Sequence, residues 1–364
     1  MGAPGSRPPR IWYDCGRMAG NPSPRRILVV VLDNLGDAVM GSALLAPLRR
    51  LHPGAQLGLW VKEYARGVFD FEDPALRVHA ADPFWDKAPG RPPGGLAAFR
   101  RALGEIREVG YDAALVLNAD WKRALACLAA GIPERIGHCR RRSGLFLNRA
   151  FPLPAGPAHV VSEHADLLSR WEGRPVPADC LRPDIGLAPA QREAAARWRA
   201  GIGGAAATVV AVHAVTGDPE KNWPLERWRE FMEALGRERP SCRFAALSAP
   251  REEPALRAAF GGLPPGLATI VPGSVSEMKP FLAAADLFVG GDSGPGHMAA
   301  ALGAPVLSLF GPTDPGRYRP FGAAAATLRR EPLRELPVPE VLARARELLA
   351  TSAGKGSSRG RCTS

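Results

Sequence analysis

The order of apolar and polar positions along the chain predicts alternating strands and helices. Ile27 to Leu32 is a continuous apolar run, which is typical of a central parallel strand that is buried on both faces. Over residues 38–51 the apolar residues recur at helical spacing, and residues 56–61 return to an apolar run. The chain therefore opens as strand, helix, strand, and this order predicts an α/β protein with a parallel sheet.

The same two patterns continue almost to the end of the chain. Further strands are predicted at residues 76–80, 112–117, 208–213, 244–248, 267–271, 287–289 and 305–310. Further helices are predicted at residues 96–109, 123–130, 189–199, 225–238, 252–260, 275–284, 297–302 and 337–349.

A shift in composition divides the 364 residues into two domains. Between about residues 175 and 204 the chain is rich in Pro, Ala and Gly around one short helix, which predicts a linker. The predicted organisation is a disordered lead-in at 1–24, an N-terminal domain at 25–175, the linker at 176–205, a C-terminal domain at 206–335, a terminal helix at 336–350 and a disordered tail at 351–364.

Glycines cluster where the strand predicted at 287–289 meets the next helix. Gly290, Gly291, Gly294 and Gly296 let the backbone turn tightly and approach a ligand. The N–H groups at a helix N-terminus then form an anion site, whose usual occupant is phosphate. The pattern fits equally well an ordinary strand–turn–helix unit whose glycines only serve the turns.

Asp37 stands in the first turn of the first helix, after the strand that ends at Leu32. One interpretation is a helix-start carboxylate that is stabilised by free N–H groups. The other is a general base at the carboxyl edge of the sheet, where open α/β folds bind their ligands. Because a helix N-terminus favours the ionised form, Asp37 is expected to accept a proton at neutral pH.

A second candidate loop follows the strand predicted at 208–213. It contains Thr216 and Lys221, whose hydroxyl and ammonium groups suit phosphate oxygens. The alternative is a loop threonine and a surface lysine without a ligand.

Positive charge is the main feature of the composition, with a net charge of +11. Between Lys122 and Arg149 there are seven basic residues and one acidic residue, Glu134. This segment includes Arg140, Arg141 and Arg142, and it suits either an anionic acceptor and lipid headgroups or simple exposure to solvent. A nucleic-acid partner is not predicted, because aromatic residues do not interleave with the arginines and no nucleic-acid-binding module is recognisable.

Other features of the sequence indicate a cytoplasmic location. The six cysteines are scattered without a CxxC pair, which indicates reduced thiols. No apolar run reaches the roughly 18 residues of a membrane span, and the N-terminus lacks the apolar core of a signal peptide. We expect a cytoplasmic protein that is able to contact the inner membrane surface through its positive charge. The sequence contains no DxD motif, so no metal site is predicted.

Three blocks of sequence, in this order, resemble the heptosyltransferase family (glycosyltransferase family nine). The blocks are LVVVLDNLGD at 28–37, HAVTGDPEKNWP at 213–224, and GDSGPGHMAAALG at 291–303, which runs on into FGPT at 310–313. Three ordered blocks are far more specific than one glycine pattern.

The resemblance implies a GT-B architecture, in which two Rossmann-like domains face each other across a cleft. It implies an inverting glycosyltransferase that needs no cofactor or essential metal, with ADP-heptose as donor and the lipopolysaccharide inner core, or another glycan or lipid-linked glycan, as acceptor. The residues that match the family's functional positions are Asp37 for the catalytic base, Thr216 and Lys221 for the diphosphate loop, and Asp292, Ser293, Gly294 and His297 for the nucleotide loop.

Two other hypotheses remain at this point. One is a different GT-B enzyme, such as a nucleotide-sugar epimerase or a transferase that uses UDP- or GDP-sugars. The other is a non-catalytic protein that binds a membrane surface through the arginine-rich segment.

Overall fold

The computed structural model describes residues 24–353, apart from 70–72, 74, 87–93, 141 and 323. Nearly all of the predicted disordered lead-in and tail lie outside these residues. Residues 351–353 of the predicted tail are the last residues of a helix.

The first sheet contains six parallel strands in the order β3-β2-β1-β4-β5-β6. The strands are β1 Arg26–Val31, β2 Gln56–Val61, β3 Leu76–Ala80, β4 Ala113–Val116, β5 Glu134–His138 and β6 Arg149–Phe151. The helices of this half are α1 Leu35–Gly41, α2 Leu45–Leu51, α3 Leu96–Val109, α4 Trp121–Ala129 and α5 Val160–Glu172. The central strand β1 is apolar and buried from Ile27 to Val31, as expected for a strand that has helices on both faces.

The second sheet is also parallel, with the order β12-β11-β10-β7-β8-β9. Its strands are β7 Thr208–His213, β8 Cys242–Ser248, β9 Ala268–Pro272, β10 Leu287–Gly291, β11 Val306–Phe310 and β12 Ala325–Arg329. The remaining helices are α6 Pro189–Gly201, α7 Leu225–Glu238, α8 Glu253–Phe260, α9 Lys279–Ala284, α10 Gly294–Ala301, α11 Pro315–Tyr318 and α12 Val338–Ala353.

Both sheets have the same doubly wound topology, with the first strand of each half beside the fourth. The strand order therefore reverses between β1 and β4 in one domain and between β7 and β10 in the other. In open α/β sheets, ligands bind outside the carboxyl ends of the strands at this point of reversal. The loops that follow these four strands are therefore the expected location of a ligand site.

The two domains touch closely at the starts of α1 and α10. A Cβ atom at Gly36 would lie 2.8 Å from the His297 ring, and one at Gly294 would lie 2.3 Å from a Leu35 methyl carbon. Glycine at these two positions therefore allows the two helix N-termini to approach each other. Elsewhere in the interface, the fully buried Lys279 of α9 donates hydrogen bonds to the backbone oxygens of Val68 and Ile185, each at 2.9 Å.

The structure corrects several of the predicted boundaries. The helix expected at 38–51 begins earlier, at Leu35, and is interrupted by a 3₁₀ turn at Ser42–Leu44. Helix α10 begins at Gly294 rather than at His297, so the glycine-rich turn is shorter than predicted. The strands β5, β6 and β12 were not predicted. The strand β5 lies inside the basic segment between Lys122 and Arg149, where Ile136 and Gly137 are buried beside β4.

Candidate functional site

A cavity of about 440 Å³ lies where the carboxyl edges of the two sheets meet. The N-terminal domain contributes Asp33, Asn34, Gly36, Asp37, Met40, Asn118, Ala119, Arg140 and Val160. The C-terminal domain contributes Lys221, Asp292, Ser293, Gly294, His297, Thr313, Arg317 and Tyr318. The cavity therefore collects residues from the two topological switch points, and most of its lining is polar.

Asp37 occupies the third position of helix α1 and lines the cavity. Its pKa is raised from 3.8 to about 7, chiefly because burial disfavours the charged carboxylate and secondly because the Asp33 carboxylate is close. A hydrogen bond from the backbone of Asn34 and the charge of Arg123 act in the opposite direction and are weaker. The helix N-terminus was expected to favour the ionised form of Asp37, and burial outweighs that effect, so the pKa is raised. A pKa near 7 still suits a general base, because such a group works best near the operating pH.

Asp33 is held in place by Arg123. Arg123 was not predicted to be a functional residue. The Arg123 guanidinium donates to both Asp33 carboxylate oxygens, at 2.6 and 2.9 Å, and to the backbone oxygen of Leu32 at 3.0 Å. Asn118, which follows β4, donates from its amide to Asp33 at 3.2 Å. This buried fork fixes a second carboxylate beside Asp37 at the edge of the first sheet.

Lys221 and Asp292 form an ion pair on the C-terminal side of the cavity. The distance between Lys221 Nζ and Asp292 Oδ2 is 2.6 Å, and Thr313 donates its hydroxyl to the same oxygen at 2.8 Å. Asp292 therefore orients Lys221 and Thr313 toward one point beside the start of α10.

Ser293 and Gly294 begin helix α10, with Ser293 as its N-cap. Both residues line the cavity, and free N–H groups at the start of a helix attract anions. The next residue, Pro295, has no N–H, and the Gly296 N–H donates to the backbone oxygen of Ser293 at 3.2 Å, so the anion site is limited to the N–H groups of Ser293 and Gly294. The Ser293 hydroxyl lies 3.2 Å from Nδ1 of His213. Burial lowers the pKa of both His213 and His297 to about 4, so these two imidazoles are neutral at physiological pH. Apart from Arg317, the positive character of the C-terminal wall thus comes from Lys221 and from the helix N-terminus.

The structure separates the predicted site residues into those in the cavity and those outside it. Thr216 does not line the cavity, because its hydroxyl donates to the backbone oxygen of Asp218 at 2.9 Å and shapes the turn before Lys221. Arg140 lines the cavity, Arg142 does not, and Arg141 lies outside the described residues. All the other predicted site residues line it.

Arg317 lies at the other end of the cavity and was not predicted. Its guanidinium binds the buried carboxylate of Glu163 in α5, with one distance of 2.9 Å, and so joins the two domains. The only sequence signal was the position of Arg317 a few residues beyond the third family block. Nothing in the sequence indicated its partner across the cleft.

Comparison with known proteins finds a matching family model and relatives of that same family. A family model described as glycosyltransferase family 9 (heptosyltransferase) matches residues 98–340. Lipopolysaccharide heptosyltransferase 1 of Pseudomonas aeruginosa is 31% identical over 316 residues, which cover 83% of each chain. The protein of the same name from Salmonella typhimurium is 28% identical over 310 residues, covering 82% of this chain and 92% of the relative.

Two solved structures show the same fold. The structure of E. coli ADP-heptose LPS heptosyltransferase II has a TM-score of 0.72 at 22% identity and covers 90% of this chain and 99% of its own. The E. coli heptosyltransferase WaaC with ADP has a TM-score of 0.71 at 23% identity, with 89% and 99% covered.

Two doubly wound domains that enclose a polar cleft define a GT-B fold, and both E. coli structures share it. The family model and the Pseudomonas relative each extend over both domains. The chain belongs to glycosyltransferase family 9, and it is a glycosyltransferase. The resemblance found in the three sequence blocks is therefore confirmed. Within the described residues, no helix is both long and apolar enough to cross a bilayer.

Proposed function

We propose that the protein transfers heptose from ADP-heptose to a hydroxyl of a lipopolysaccharide-core acceptor in the cytoplasm, without a metal ion. The names of its relatives support the choice of donor and acceptor. The observation that carries the proposal is geometric. Asp37 on one domain lines the same cavity as Lys221 and the start of α10 on the other.

The proposed reaction is a single displacement. The acceptor oxygen bonds to the anomeric carbon of the sugar while the bond from that carbon to the diphosphate oxygen breaks. The acceptor proton goes to the Asp37 carboxylate, and the bonding electron pair leaves with ADP. Attack from the side opposite the leaving group inverts the anomeric centre.

The leaving diphosphate gains negative charge as the bond breaks. Lys221 and the N–H groups at Ser293 and Gly294 are fixed donors on that side of the cavity, and they need little reorganisation to stabilise this charge. Asp292 keeps the Lys221 ammonium in position at 2.6 Å. Thr216 acts by shaping the loop that carries Lys221, since its hydroxyl is bonded within the turn.

The acceptor binds from the N-terminal side in this proposal. Arg140 reaches the cavity and is suited to the anionic groups of a lipopolysaccharide core, with Arg141 and Arg142 as its neighbours in the sequence. Peripheral contact with the inner membrane would bring a lipid-linked acceptor to this side.

The test is a transfer assay with purified full-length chain and a lipid-free core oligosaccharide as acceptor. We expect transfer from ADP-heptose and little from UDP- or GDP-sugars, full activity in excess EDTA, and a product whose anomeric configuration by NMR is opposite to that of the donor. A preference for a UDP- or GDP-sugar contradicts the donor assignment. Loss of activity in EDTA contradicts the metal-independent mechanism, and a retained configuration contradicts the single displacement.

A further inference from the structure

The outer face of α4 is apolar, although it faces solvent. Trp121, Leu125 and Leu128 share one helical face and have exposed fractions of 40%, 36% and 43%. Leu145 is 72% exposed and lies on the 3₁₀ turn Ser143–Leu145, which contacts α4. We call these four residues the apolar ridge. A single exposed leucine is ordinary, whereas four apolar side chains on adjoining elements form a patch of the kind that marks an interaction surface.

Positive charge surrounds the apolar ridge. The Lys122 ammonium lies 5.8 Å from the centre of the Trp121 ring and 5.9 Å from that of Trp85. Arg140 and Arg142 directly precede the turn that carries Leu145. Glu134 is the single acidic residue between positions 121 and 149, and it is paired with Arg149 at 3.3 Å. The surroundings of the ridge are therefore suited to a negatively charged partner.

The ridge also borders the cleft. Ala119 lines the cavity two residues before Trp121, and Arg140 lines it five residues before Leu145. A partner that covers the ridge would therefore lie next to the N-terminal wall of the cleft, on the same side as Asp37.

We propose that the apolar ridge docks this enzyme onto an anionic lipid bilayer. Tryptophan and leucine would enter the boundary between headgroups and acyl chains, while Lys122 and Arg142 would lie against the headgroups. A second copy of the chain fits less well, because pairing two ridges would bring two sets of positive charges together. The inference adds a surface to the proposed function and rests on it for the idea that the acceptor is lipid-linked.

The test measures binding of the full chain to vesicles by co-sedimentation. The vesicles are either pure phosphatidylcholine or phosphatidylcholine with phosphatidylglycerol. The test variant is Leu125→Gln/Leu128→Gln, which keeps helix-forming residues on α4. The control variant is Leu153→Gln, which changes a leucine that is 41% exposed but lies outside α4 and the 143–145 turn. Turnover with the lipid-free acceptor and the mass of each variant in solution are measured in parallel.

We expect the wild-type chain and Leu153→Gln to bind the anionic vesicles, with an affinity that falls as salt rises. The double variant should bind them about tenfold more weakly and keep its turnover with the lipid-free acceptor. Equal binding by the double variant, or preference of the wild type for neutral vesicles, overturns the proposal. A dimer that the double variant dissociates, without a change in vesicle binding, identifies the ridge as a contact between copies and also overturns it. Vesicle binding as expected without any sugar transfer contradicts only the proposed function.

Discussion

The two domains have one strand order and two different chemistries. In the N-terminal domain the loops at the point of reversal bring together two carboxylates, Asp37 and Asp33, and burial raises the pKa of Asp37 to about 7. In the C-terminal domain the equivalent loops bring together Lys221 and the start of α10. The shared topology provides a ligand site in each domain. The loop residues decide whether that site accepts a proton or binds an anion.

The surfaces of the two domains differ as well. Among the residues that the structure describes, all the exposed large apolar side chains lie in the N-terminal domain, between Phe84 and Leu153. The half that is proposed to bind the acceptor is therefore also the half with an exposed apolar surface. Substitutions in each domain can separate the roles of the two halves.

Replacing the base should have the largest effect. We expect Asp37→Asn to lower kcat about 10³-fold, because the amide keeps the shape of the side chain and cannot accept the acceptor proton. Rates are measured with saturating ADP-heptose and lipid-free acceptor. A variant that retains a tenth or more of the wild-type kcat would remove Asp37 from the chemical step.

The same variant should be more stable than the wild type at alkaline pH. The folded pKa of Asp37, about 7, lies above its ordinary value of 3.8, so its contribution to stability is present at low pH and is lost as the pH rises from about 4 to about 7. Three pKa units correspond to at most about 4 kcal/mol, so Asp37→Asn should gain up to that free energy of unfolding at pH 8, and less at pH 5. Chemical denaturation at both pH values checks this. Equal stabilisation at the two pH values contradicts the raised pKa.

Removing the Lys221 ammonium group from the C-terminal domain should weaken stabilisation of the leaving diphosphate. We expect Lys221→Gln to lower kcat/KM for the donor about 10²-fold. The double variant Lys221→Gln/Asp292→Asn is the matched control, since it avoids leaving the Asp292 carboxylate without its partner at 2.6 Å. If the double variant regains wild-type kcat/KM, the effect came from the unpaired carboxylate, and Lys221 has no direct role.

The close approach of α1 and α10 can be tested by adding one methyl group. Gly294→Ala would place its Cβ 2.3 Å from a Leu35 methyl carbon and should lower kcat/KM about tenfold by separating the two walls of the cleft. Adding Leu35→Ala removes the Leu35 carbons that would lie 2.3 and 2.7 Å from the new Cβ and should restore part of the loss, because only the Leu35 Cβ at 2.9 Å remains. Gly104→Ala, whose new Cβ would meet nothing within 4 Å, should leave kcat/KM unchanged. Failure of the Leu35→Ala rescue would show that Gly294 matters for another reason.

The smallest predicted effect is a shift in a pH profile. Because Asp37 must be deprotonated to act, kcat/KM should rise with pH and level off above an apparent pKa of about 7. The Asp33 charge raises this pKa, so Asp33→Asn should move the midpoint to lower pH. A midpoint that stays in place or moves up would contradict the role given to Asp33.

Local pattern was sufficient for much of the fold. The limits of α3, α7 and β7 agree with those predicted, because long amphipathic helices and continuous apolar runs carry their own signal. The limits of β3 also agree, and there apolar and polar residues alternate. The strands β5 and β12 were missed because they are short and contain arginine, and their pairing with β4 and β11 outweighs that local pattern. The start of helix α1 was predicted after Leu35, its first residue in the structure. From the sequence alone Leu35 and Gly36 resemble turn residues, and only the packing of α10 against them shows that they belong to the helix.

In the candidate site, too, local sequence pattern predicts some residues and misses those that depend on distant partners. Asp37, Lys221 and Asp292 could be named from the sequence blocks, because each block is local. Arg123 could not, since its partner Asp33 is 90 residues away and only the β1–β4 pairing brings them together. The sign of the pKa shift of Asp37 was also inaccessible, because it depends on how deeply the folded chain buries the carboxylate.

The most direct test of the division of labour measures two quantities on two variants. The quantities are kcat and the dissociation constant for ADP, the latter by calorimetry, and the variants are Asp37→Asn and Lys221→Gln. We expect Asp37→Asn to lose kcat about 10³-fold while binding ADP within about twofold of the wild type, and Lys221→Gln to bind ADP about tenfold more weakly. If Asp37→Asn weakens ADP binding as much as Lys221→Gln does, or if it keeps its turnover, the two halves do not divide the chemistry in this way.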